Sequence, residues 1–272
     1  MLIVGEAFAR PLLRELSAGA HDASSLRMLM TGGAPVSRQT KDTVARDLPH
    51  VTLYELMGAS ETGGALQRTD RSGEKRLEPG VFDRRPGAEV TVVSADRTRR
   101  ETPGHPESGW LAVAGNIPLG YLGDRAKTEA TFATVDGTRW SIPGDRALLR
   151  PDGVVEILGR EATTINTGGE KVFAEEVEEA LLTHPAVADA AVAGRPSERW
   201  GQEVTALLIA LLPGASATDE EISEAAARHI ARYKLPKAIL RVPAIHRTAV
   251  GKIDRSWAKQ IAAEGVGATQ AG

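Results

Sequence analysis

The sequence predicts an α/β domain that ends in a small β-rich unit and is followed by a compact α+β domain. Three observations predict this. Two apolar runs, at residues 26–30 and 51–57, each end in a glycine-rich loop, and a segment of helical character separates them. From about residue 87 to 160 the chain changes to short β-type runs divided by Gly, Pro and Asp. After Arg160, helical and strand patterns alternate again.

Composition limits the possible functions. The chain has 272 residues, enough for two modest domains, and its 42% hydrophobic and 25% charged residues are typical of a globular protein. A net charge of -3 gives no electrostatic reason to expect a nucleic acid or an anionic membrane as partner. No stretch approaches the roughly 18 apolar residues of a membrane span. We therefore expect a cytoplasmic protein. Because cysteine is absent, any thioester chemistry must take its sulfur from a cofactor or a partner.

The first part of the chain gives a helix and two strand–loop units. Ala9, Leu12, Leu13 and Leu16 repeat at helical spacing, so residues 1–20 predict an amphipathic helix rather than a signal peptide. The elements that follow are a strand at 26–30, a turn at 31–35, a helix at 37–47, a strand at 51–57 and a loop at 58–64. In open α/β sheets such loops at the carboxyl ends of strands line the ligand crevice.

The later elements divide the chain near Gly159 and Arg160, which predicts domains at 1–159 and 160–272. A small all-β unit, a distorted barrel at about 85–159, has strands at 89–93, 110–114, 139–142 and 154–158. The second domain has a helix at 175–183, strands at 187–193 and 204–212, a Thr218–Glu221 capping box that opens a helix at 222–231, a strand at 238–242 and a last helix after Lys252. We expect the tail at 265–272 to be frayed.

Polar groups between these elements could handle a nucleotide. A Glu can bind Mg²⁺, hydroxyl and backbone amide groups can hold phosphate oxygens, an Asp can accept from ribose hydroxyls, and a mobile Lys can neutralise charge in a phosphoryl transition state. Ser60, Glu61, Asp145, Arg160 and Lys252 supply these groups. Each also has an ordinary structural interpretation as a solvated loop, turn or surface residue.

The order of the motifs resembles the adenylate-forming superfamily of acyl-CoA synthetases, adenylation domains and luciferases. Over nearly the whole chain, seven strings are similar to the family's motifs and collinear with them: Thr31-Gly32-Gly33-Ala34-Pro35, Met57-Gly58-Ala59-Ser60-Glu61, Gly120-Tyr121 with Thr128, Trp140 to Asp145, Gly159-Arg160, Ile165 to Val172, and Gly251-Lys252-Ile253-Asp254-Arg255. The chain is thereby identified as the C-terminal part of the large adenylate-forming domain, a sheet remnant plus a small barrel, followed by the mobile α+β C-terminal domain.

The resemblance implies an ATP-dependent acyl-CoA synthetase acting on a fatty or other carboxylic acid. The carboxylate attacks ATP to give acyl-AMP and pyrophosphate, and the thiol of coenzyme A then displaces AMP. The resemblance implies adenine and phosphate contacts for the residues of two loops: Gly32, Gly33, Ala34, Pro35, Met57, Gly58 and Ser60. It implies Mg²⁺ binding and catalysis for Glu61, a ribose contact for Asp145 and cofactor binding for Arg160. Gly168 and Gly169 would border the thiol tunnel, and Lys252 would catalyse adenylation.

Departures from the family pattern limit what the resemblance implies. The upstream Ser/Thr/Gly-rich loop that ends in Pro-Lys-Gly is not found in these 272 residues. We therefore expect weak or absent adenylation unless another chain supplies the N-terminal half. Met57 replaces an adenine-stacking Tyr, Ala162 stands at the usual hinge position, and Arg150 replaces a common Asp.

Three hypotheses follow. The Glu198 to Glu203 string and the Gly168-Gly169-Glu170 loop favour part of an acyl-CoA synthetase. The alternatives are an adenylation domain that loads a carrier protein, and a non-catalytic nucleotide-binding or interaction module. A truncated sheet would also expose apolar surface, which favours a homo-oligomer or a partner chain.

Overall fold

The computed structural model describes residues 1–3, 5–19, 21–33, 36, 38–72, 80–210, 215–249 and 251–265. The chain divides into two units. The first covers residues 1–36 and 40–161, and the second covers 162–272 with residues 37–39. The division thus follows Glu161, whereas the sequence predicts it after Gly159. Some predicted features lie outside the described residues: Ala34, Pro35, residues 211–212 of a predicted strand, Val250 of the lysine motif and residues 266–272 of the tail.

The first unit begins with a parallel sheet covered by two helices. Its elements are β1 (Leu2–Ile3), α1 (Gly5–Ser17), β2 (Met28–Gly32), α2 (Arg38–Asp47) and β3 (Thr52–Ala59). β2 pairs in parallel with both β1 and β3. Leu13 of α1 and Val44 of α2 meet Leu29 and Leu53 of the sheet in one buried cluster, because the apolar positions of each helix share one face. The predicted helices and strands of this region are present as α1, β2, α2 and β3, but Leu2–Ile3 forms a strand where residues 1–20 predict a helix.

Antiparallel strands then extend the same sheet. They are β4 (Gly63–Asp70), β5 (Val81–Arg84), β6 (Glu89–Val93), β7 (Gly109–Ala114), β8 (Phe132–Val135), β9 (Thr138–Ser141), β10 (Asp145–Leu149) and β11 (Val155–Arg160), with α3 (Arg125–Thr131) before β8. The strand order is β1-β2-β3-β4-β5-β11-β10-β7-β9-β8, and β6 pairs with β7. The strands expected at 85–159 pair with one another, and β11 joins them to β5 in the same sheet.

Buried charges join α2 to the sheet. The Lys41 ammonium lies 2.8 Å from the Glu55 carboxylate, and the Arg68 guanidinium lies 3.7 Å from Glu55 and 3.3 Å from Asp70. All four side chains are less than a tenth exposed. Since a buried charge is tolerated when it is paired, this network is compatible with a packed sheet face.

The second unit is a five-stranded sheet with helices on both faces. Its elements are β12 (Thr164–Thr167), β13 (Glu170–Phe173), α4 (Ala174–Leu181), β14 (Val187–Ser197), β15 (Gly201–Ala210), α5 (Asp219–Ala227), β16 (Ala238–Arg241) and α6 (Arg255–Glu264). β13, β12, β15 and β14 pair antiparallel in that order, and β16 pairs in parallel with β15.

Alternation along β14 places one helix layer on each face of this sheet. Ala190 and Val192 pack in the cluster that includes residues of α4 and α5, whereas Ala191 and Ala193 pack in the cluster that includes residues of α6. The capping box predicted at Thr218 is present at the start of α5. Within the described residues, no helix is long and apolar enough to cross a membrane.

Candidate functional site

The turn between β3 and β4 presents Ser60 and Glu61. The Ala59 amide donates to Thr62 Oγ1 at 2.8 Å, and the Thr62 amide donates to the Ala59 carbonyl at 3.0 Å. The β3–β4 register shifts between Met57 and Ala59, at Gly58. A Cβ on Gly58 would lie 1.6 Å from the Gly63 carbonyl oxygen, so only glycine fits this turn. The turn therefore fixes the backbone that carries Glu61.

Tyr121 holds the Glu61 carboxylate. The Tyr121 hydroxyl donates to Glu61 Oε1 at 2.5 Å. This hydrogen bond, together with the charges of Lys127 and Arg160, lowers the pKa of Glu61 against the opposing effect of burial. Glu61 is thus an ionised carboxylate at neutral pH with one well-placed donor.

The Gly120-Tyr121…Thr128 motif positions Tyr121. Thr128 Oγ1 accepts from the Tyr121 amide at 2.8 Å and donates to the Asp124 carbonyl at 2.7 Å, which ties the loop to the first turn of α3. The Lys127 ammonium lies 4.0 Å from the centroid of the Tyr121 ring. A Cβ on Gly120 would lie 2.5 Å from Thr128 Cγ2, so this threonine packs directly on the glycine. The motif therefore acts on Glu61 through Tyr121.

Asp145 and Arg160 face each other across β10 and β11. They are partners in the antiparallel register, and Arg160 Nε donates to Asp145 Oδ1 at 3.0 Å. The Asp145 side chain is 5% exposed and the Arg160 side chain 47% exposed. Upstream of the pair, buried Trp140 donates from its indole to the Val135 carbonyl at 3.2 Å. The structure thus brings Asp145 to Arg160, and the charge of Arg160 acts on Glu61.

The strands that lead into the two glycine-rich loops, β2 and β3, are neighbours in the parallel sheet. Gly32, the last residue of β2, is the register partner of Leu56, next to Met57 on β3. Gly33 has a φ of 79°, which favours glycine. Met57 is partly buried and packs against the core of the antiparallel strands.

The second unit carries the other predicted residues on two hairpin turns. Gly168 and Gly169 join β12 to β13 with φ of 59° and 90°, a two-residue turn that suits two glycines. The Gly168 amide donates to the Trp200 carbonyl at 2.9 Å, and a Cβ on Gly168 would lie 2.8 Å from the Trp200 ring. Trp200 therefore packs directly on this turn.

Lys252 is exposed on the second turn, between residues 247 and 253. The Thr248 amide donates to the Lys252 carbonyl at 2.8 Å, and the Gly251 amide donates to the Thr248 carbonyl at 2.8 Å. Asp254 then caps α6 by accepting from the amides of Ser256 and Trp257 at 3.0 Å. A tight turn ahead of the last helix is the setting that the sequence predicts for this lysine.

Sequence reasoning did not assign site roles to Thr62, Tyr121 and Trp200. Tyr121 and Trp200 lie inside strings that resemble the family, and Thr62 directly follows such a string, which is the signal that could have found them. The contacts themselves join residues as far apart as Glu61 and Tyr121, and no spacing along the chain predicts such a contact.

Comparison with known proteins identifies the family. Residues 3–122 match the AMP-binding enzyme family, and residues 176–252 match the AMP-binding enzyme C-terminal domain. The chain is 45% identical over 263 residues to the medium-chain acyl-CoA ligase Mig of Mycobacterium avium, and 42% identical over 267 residues to the 3-oxocholest-4-en-26-oate–CoA ligase of Rhodococcus rhodochrous. These alignments cover 97% and 95% of this chain but 47% of each relative, so the chain spans about half the length of the curated relatives it matches.

Solved structures agree in fold. The o-succinylbenzoate CoA synthetase of Bacillus subtilis, bound to its acyl-adenylate intermediate, superposes with a TM-score of 0.74 at 25% identity, covering 94% of this chain and 50% of that one. ATP-bound MatB from Rhodopseudomonas palustris gives a TM-score of 0.79 at 24% identity, covering 96% of this chain and 50% of that one. Motif order, family matches and fold agree, and the chain belongs to the adenylate-forming superfamily of AMP-binding enzymes.

Proposed function

We propose that this chain supplies the nucleotide-binding and lysine-bearing parts of an AMP-forming acyl-CoA ligase. One observation carries the proposal: Glu61, ionised and held by Tyr121, lies within the electrostatic influence of Arg160, which pairs with Asp145. A carboxylate for a metal, a carboxylate for ribose and a cation for phosphate are the groups that a nucleotide site needs. The names of the relatives, acyl-CoA ligases, support the same reaction.

The proposed reaction has two steps. In the first, a substrate carboxylate oxygen attacks the α-phosphorus of ATP, the bond to the β-phosphate oxygen breaks, and pyrophosphate leaves. In the second, the thiol sulfur of coenzyme A attacks the acyl carbonyl, the bond to the phosphate oxygen breaks, and AMP leaves with the electron pair while the thiol gives up its proton. Lys252 serves the first step, because an ammonium can neutralise charge that grows at the α-phosphate.

The remaining predicted residues bind and orient in this proposal. Asp145 accepts from ribose hydroxyls, Arg160 contacts ribose or phosphate, and the loops at Gly32 and Gly58 border the adenine. The Gly168-Gly169 turn lets the backbone approach the pantetheine arm of coenzyme A.

Magnesium fits Glu61. Mg²⁺ in nucleotide sites takes one or two carboxylates plus substrate phosphates and water, and it needs the carboxylate ionised. Glu61 is partly exposed with a lowered pKa, whereas no cluster of three or more His, Cys, Asp or Glu ligands occurs in the described part of the chain. A bound Mg²⁺ would supply charge neutralisation for the phosphates.

We further propose that a phosphate-binding segment beyond these 272 residues provides the β- and γ-phosphate contacts. Such a segment would be joined to this chain or supplied by a second one. We also propose a fatty or other carboxylic acid as substrate, because the matched relatives are named for medium-chain acyl-CoA and for 3-oxocholest-4-en-26-oate. Homo-oligomer formation through the sheet is part of the same proposal, as is a location in the cytoplasm.

Titration and exchange assays test the function. We expect the chain to bind AMP in calorimetry, with Asp145→Asn weakening the affinity. We expect ATP–pyrophosphate exchange with decanoate when the chain is mixed with the half of the Mycobacterium avium ligase that lies outside the alignment. Lys252→Ala should reduce that exchange on the order of 10²-fold and leave AMP affinity unchanged, whereas the exposed α6 lysine variant Lys259→Ala should match the wild type.

Three results would decide between the alternatives. Acyl transfer to a phosphopantetheinyl carrier protein but not to coenzyme A would assign the chain to carrier loading. AMP binding without exchange in the reconstituted protein would indicate a non-catalytic module. A chain that binds neither AMP nor coenzyme A would refute the proposed function.

A further inference from the structure

The turn that carries Lys252 is held by Arg247, an arginine at its start. Arg247 Nη1 donates to the Gly251 carbonyl at 2.9 Å. Arg247 Nη2 donates to both carboxylate oxygens of Asp189 on β14, each at 2.7 Å. One guanidinium thus joins the turn to the central sheet of the second unit.

The contact is directed at the backbone of the lysine itself. The Gly251 carbonyl belongs to the peptide group that joins Gly251 to Lys252, so Arg247 fixes the plane of the peptide on the N-terminal side of the lysine. The Thr248 amide fixes the carbonyl on its C-terminal side at 2.8 Å. Gly251 has a φ of 79°, a left-handed conformation that favours glycine, and without a Cβ this residue restricts the backbone little by itself.

The Arg247–Asp189 pair is well suited to this task. The side chains of Arg247 and Asp189 are 22% and 17% exposed, so water screens the pair less than it would at the surface. An arginine whose planar guanidinium is hydrogen-bonded to a carboxylate retains little side-chain conformational freedom. Asp189 is itself oriented: its Oδ1 accepts from the Ala190 amide at 3.0 Å, and the β14–β15 register shifts between Val187 and Asp189.

We infer that Arg247 and Asp189 are positioning residues for Lys252, and that they set the backbone from which its ammonium reaches the α-phosphate. This inference rests on the proposed function, because it gives Lys252 a role in the adenylation step only. Loss of the Arg247–Asp189 pair should therefore slow adenylation far more than thioester formation. A general loss of stability would instead slow both half-reactions.

The first test compares the two half-reactions in the reconstituted enzyme described above. Arg247→Lys keeps the positive charge but removes the planar guanidinium, and Arg247→Gln removes both the charge and the guanidinium. For each we expect ATP–pyrophosphate exchange to fall by about tenfold to a hundredfold through kcat, with KM for ATP changed less than about twofold. Thioester formation from supplied decanoyl-AMP and coenzyme A should stay within about twofold of the wild type. Asp189→Asn should follow the same pattern.

Arg241 offers a matched control. On β16 of the same unit, it donates to a carboxylate, that of Asp219, at 2.6 Å, and to a backbone carbonyl, that of Ala217, at 3.0 Å. Arg241→Gln removes the same kinds of contact away from the lysine turn, and both half-reactions should remain at the wild-type rate. A parallel decline of both half-reactions in Arg247→Gln would overturn the inference.

Amide hydrogen exchange on the 272-residue chain tests, independently of enzymatic activity, whether Arg247 stabilises the turn that carries Lys252. The amides of Thr248 and Gly251 should exchange about tenfold faster in Arg247→Gln than in the wild type and at the wild-type rate in Arg241→Gln. Unchanged amide hydrogen exchange in Arg247→Gln would show that Arg247 does not stabilise the lysine turn. This result would refute the inference even if the wild type is active. Absence of both half-reactions in the wild type would instead refute the proposed function and, with it, the positioning role of the pair in adenylation.

Discussion

Replacing Gly58 by alanine should disrupt the turn that presents Glu61. A Cβ at this position would lie 1.6 Å from the Gly63 carbonyl oxygen, 2.7 Å from its carbonyl carbon and 3.1 Å from the Gly64 Cα. Ordinary non-bonded contact needs roughly 3.5 Å, so the backbone of β4 must retreat by about 2 Å. No flexible side chain stands between the two strands to absorb the shift.

The cost follows from the hydrogen bonds that the shift breaks. The turn depends on the Ala59 amide to Thr62 Oγ1, the Thr62 amide to the Ala59 carbonyl, and the Ala59–Gly63 pairing. At about 1 kcal/mol net for each hydrogen bond, their loss gives about 2–3 kcal/mol, within the range observed for overpacked sites. We expect AMP affinity to fall as well, since the turn would no longer hold Glu61 against Tyr121.

Gly64→Ala is the matched control. Gly64 lies in the same hairpin, and a Cβ there would meet only the flexible Leu56 side chain at 3.3 Å. The assay is urea denaturation followed by a probe in the first unit, combined with AMP calorimetry. A Gly58→Ala protein as stable as Gly64→Ala, within about 0.5 kcal/mol, would refute the steric reasoning.

Three further predictions follow from contacts in both units. Tyr121→Phe removes the strongest influence on Glu61, so the pKa of Glu61 should rise, and an NMR titration that leaves it unchanged would contradict the hydrogen bond. Burial raises the pKa of Glu178 from 4.5 to about 7. Between these values the folded chain keeps a proton that the unfolded chain loses, so the unfolding free energy should fall with rising pH by up to about 3 kcal/mol. Urea denaturation at pH 4.5 and 7.5 should show this slope in the wild type and a smaller one in Glu178→Gln; equal slopes would argue against it. Thr218→Ala removes the hydroxyl that caps α5 and should lower the unfolding free energy by about 1 kcal/mol, measured by the same denaturation; an unchanged midpoint would mean that the cap contributes little.

The sequence predicts elements well where burial follows a simple period. β6 runs from Glu89 to Val93 as expected, and α2 and the capping box of α5 also lie where their patterns place them. β4 was missed because Arg68 and Asp70 make it look like a polar loop, although both are buried. Their partners Glu55 and Lys41 come from β3 and α2, and only the assembled sheet brings them together.

Helix α3 was missed for a different reason. Its sequence, Arg-Ala-Lys-Thr-Glu-Ala-Thr, has no apolar period, and only Asp124 as N-cap signals a helix. The candidate site shows the same limit. Motifs predict Glu61, Asp145, Arg160 and Lys252 as site residues, whereas the contacts of their surroundings are long-range. Arg247 and Asp189 lie 58 residues apart, and nothing in either local pattern predicts their pairing.

The pairing of Asp145 with Arg160 changes what nucleotide binding would require of this carboxylate. Asp145 is 5% exposed, so most of its water was removed when the chain folded. A ribose hydroxyl that donates to this carboxylate beside Arg160 would have little water left to displace from it. Because a sugar hydroxyl is neutral, this part of the affinity should hardly depend on salt concentration. The phosphates of the same ligand would keep their usual salt dependence, so adenosine and AMP titrated at low and high salt should diverge.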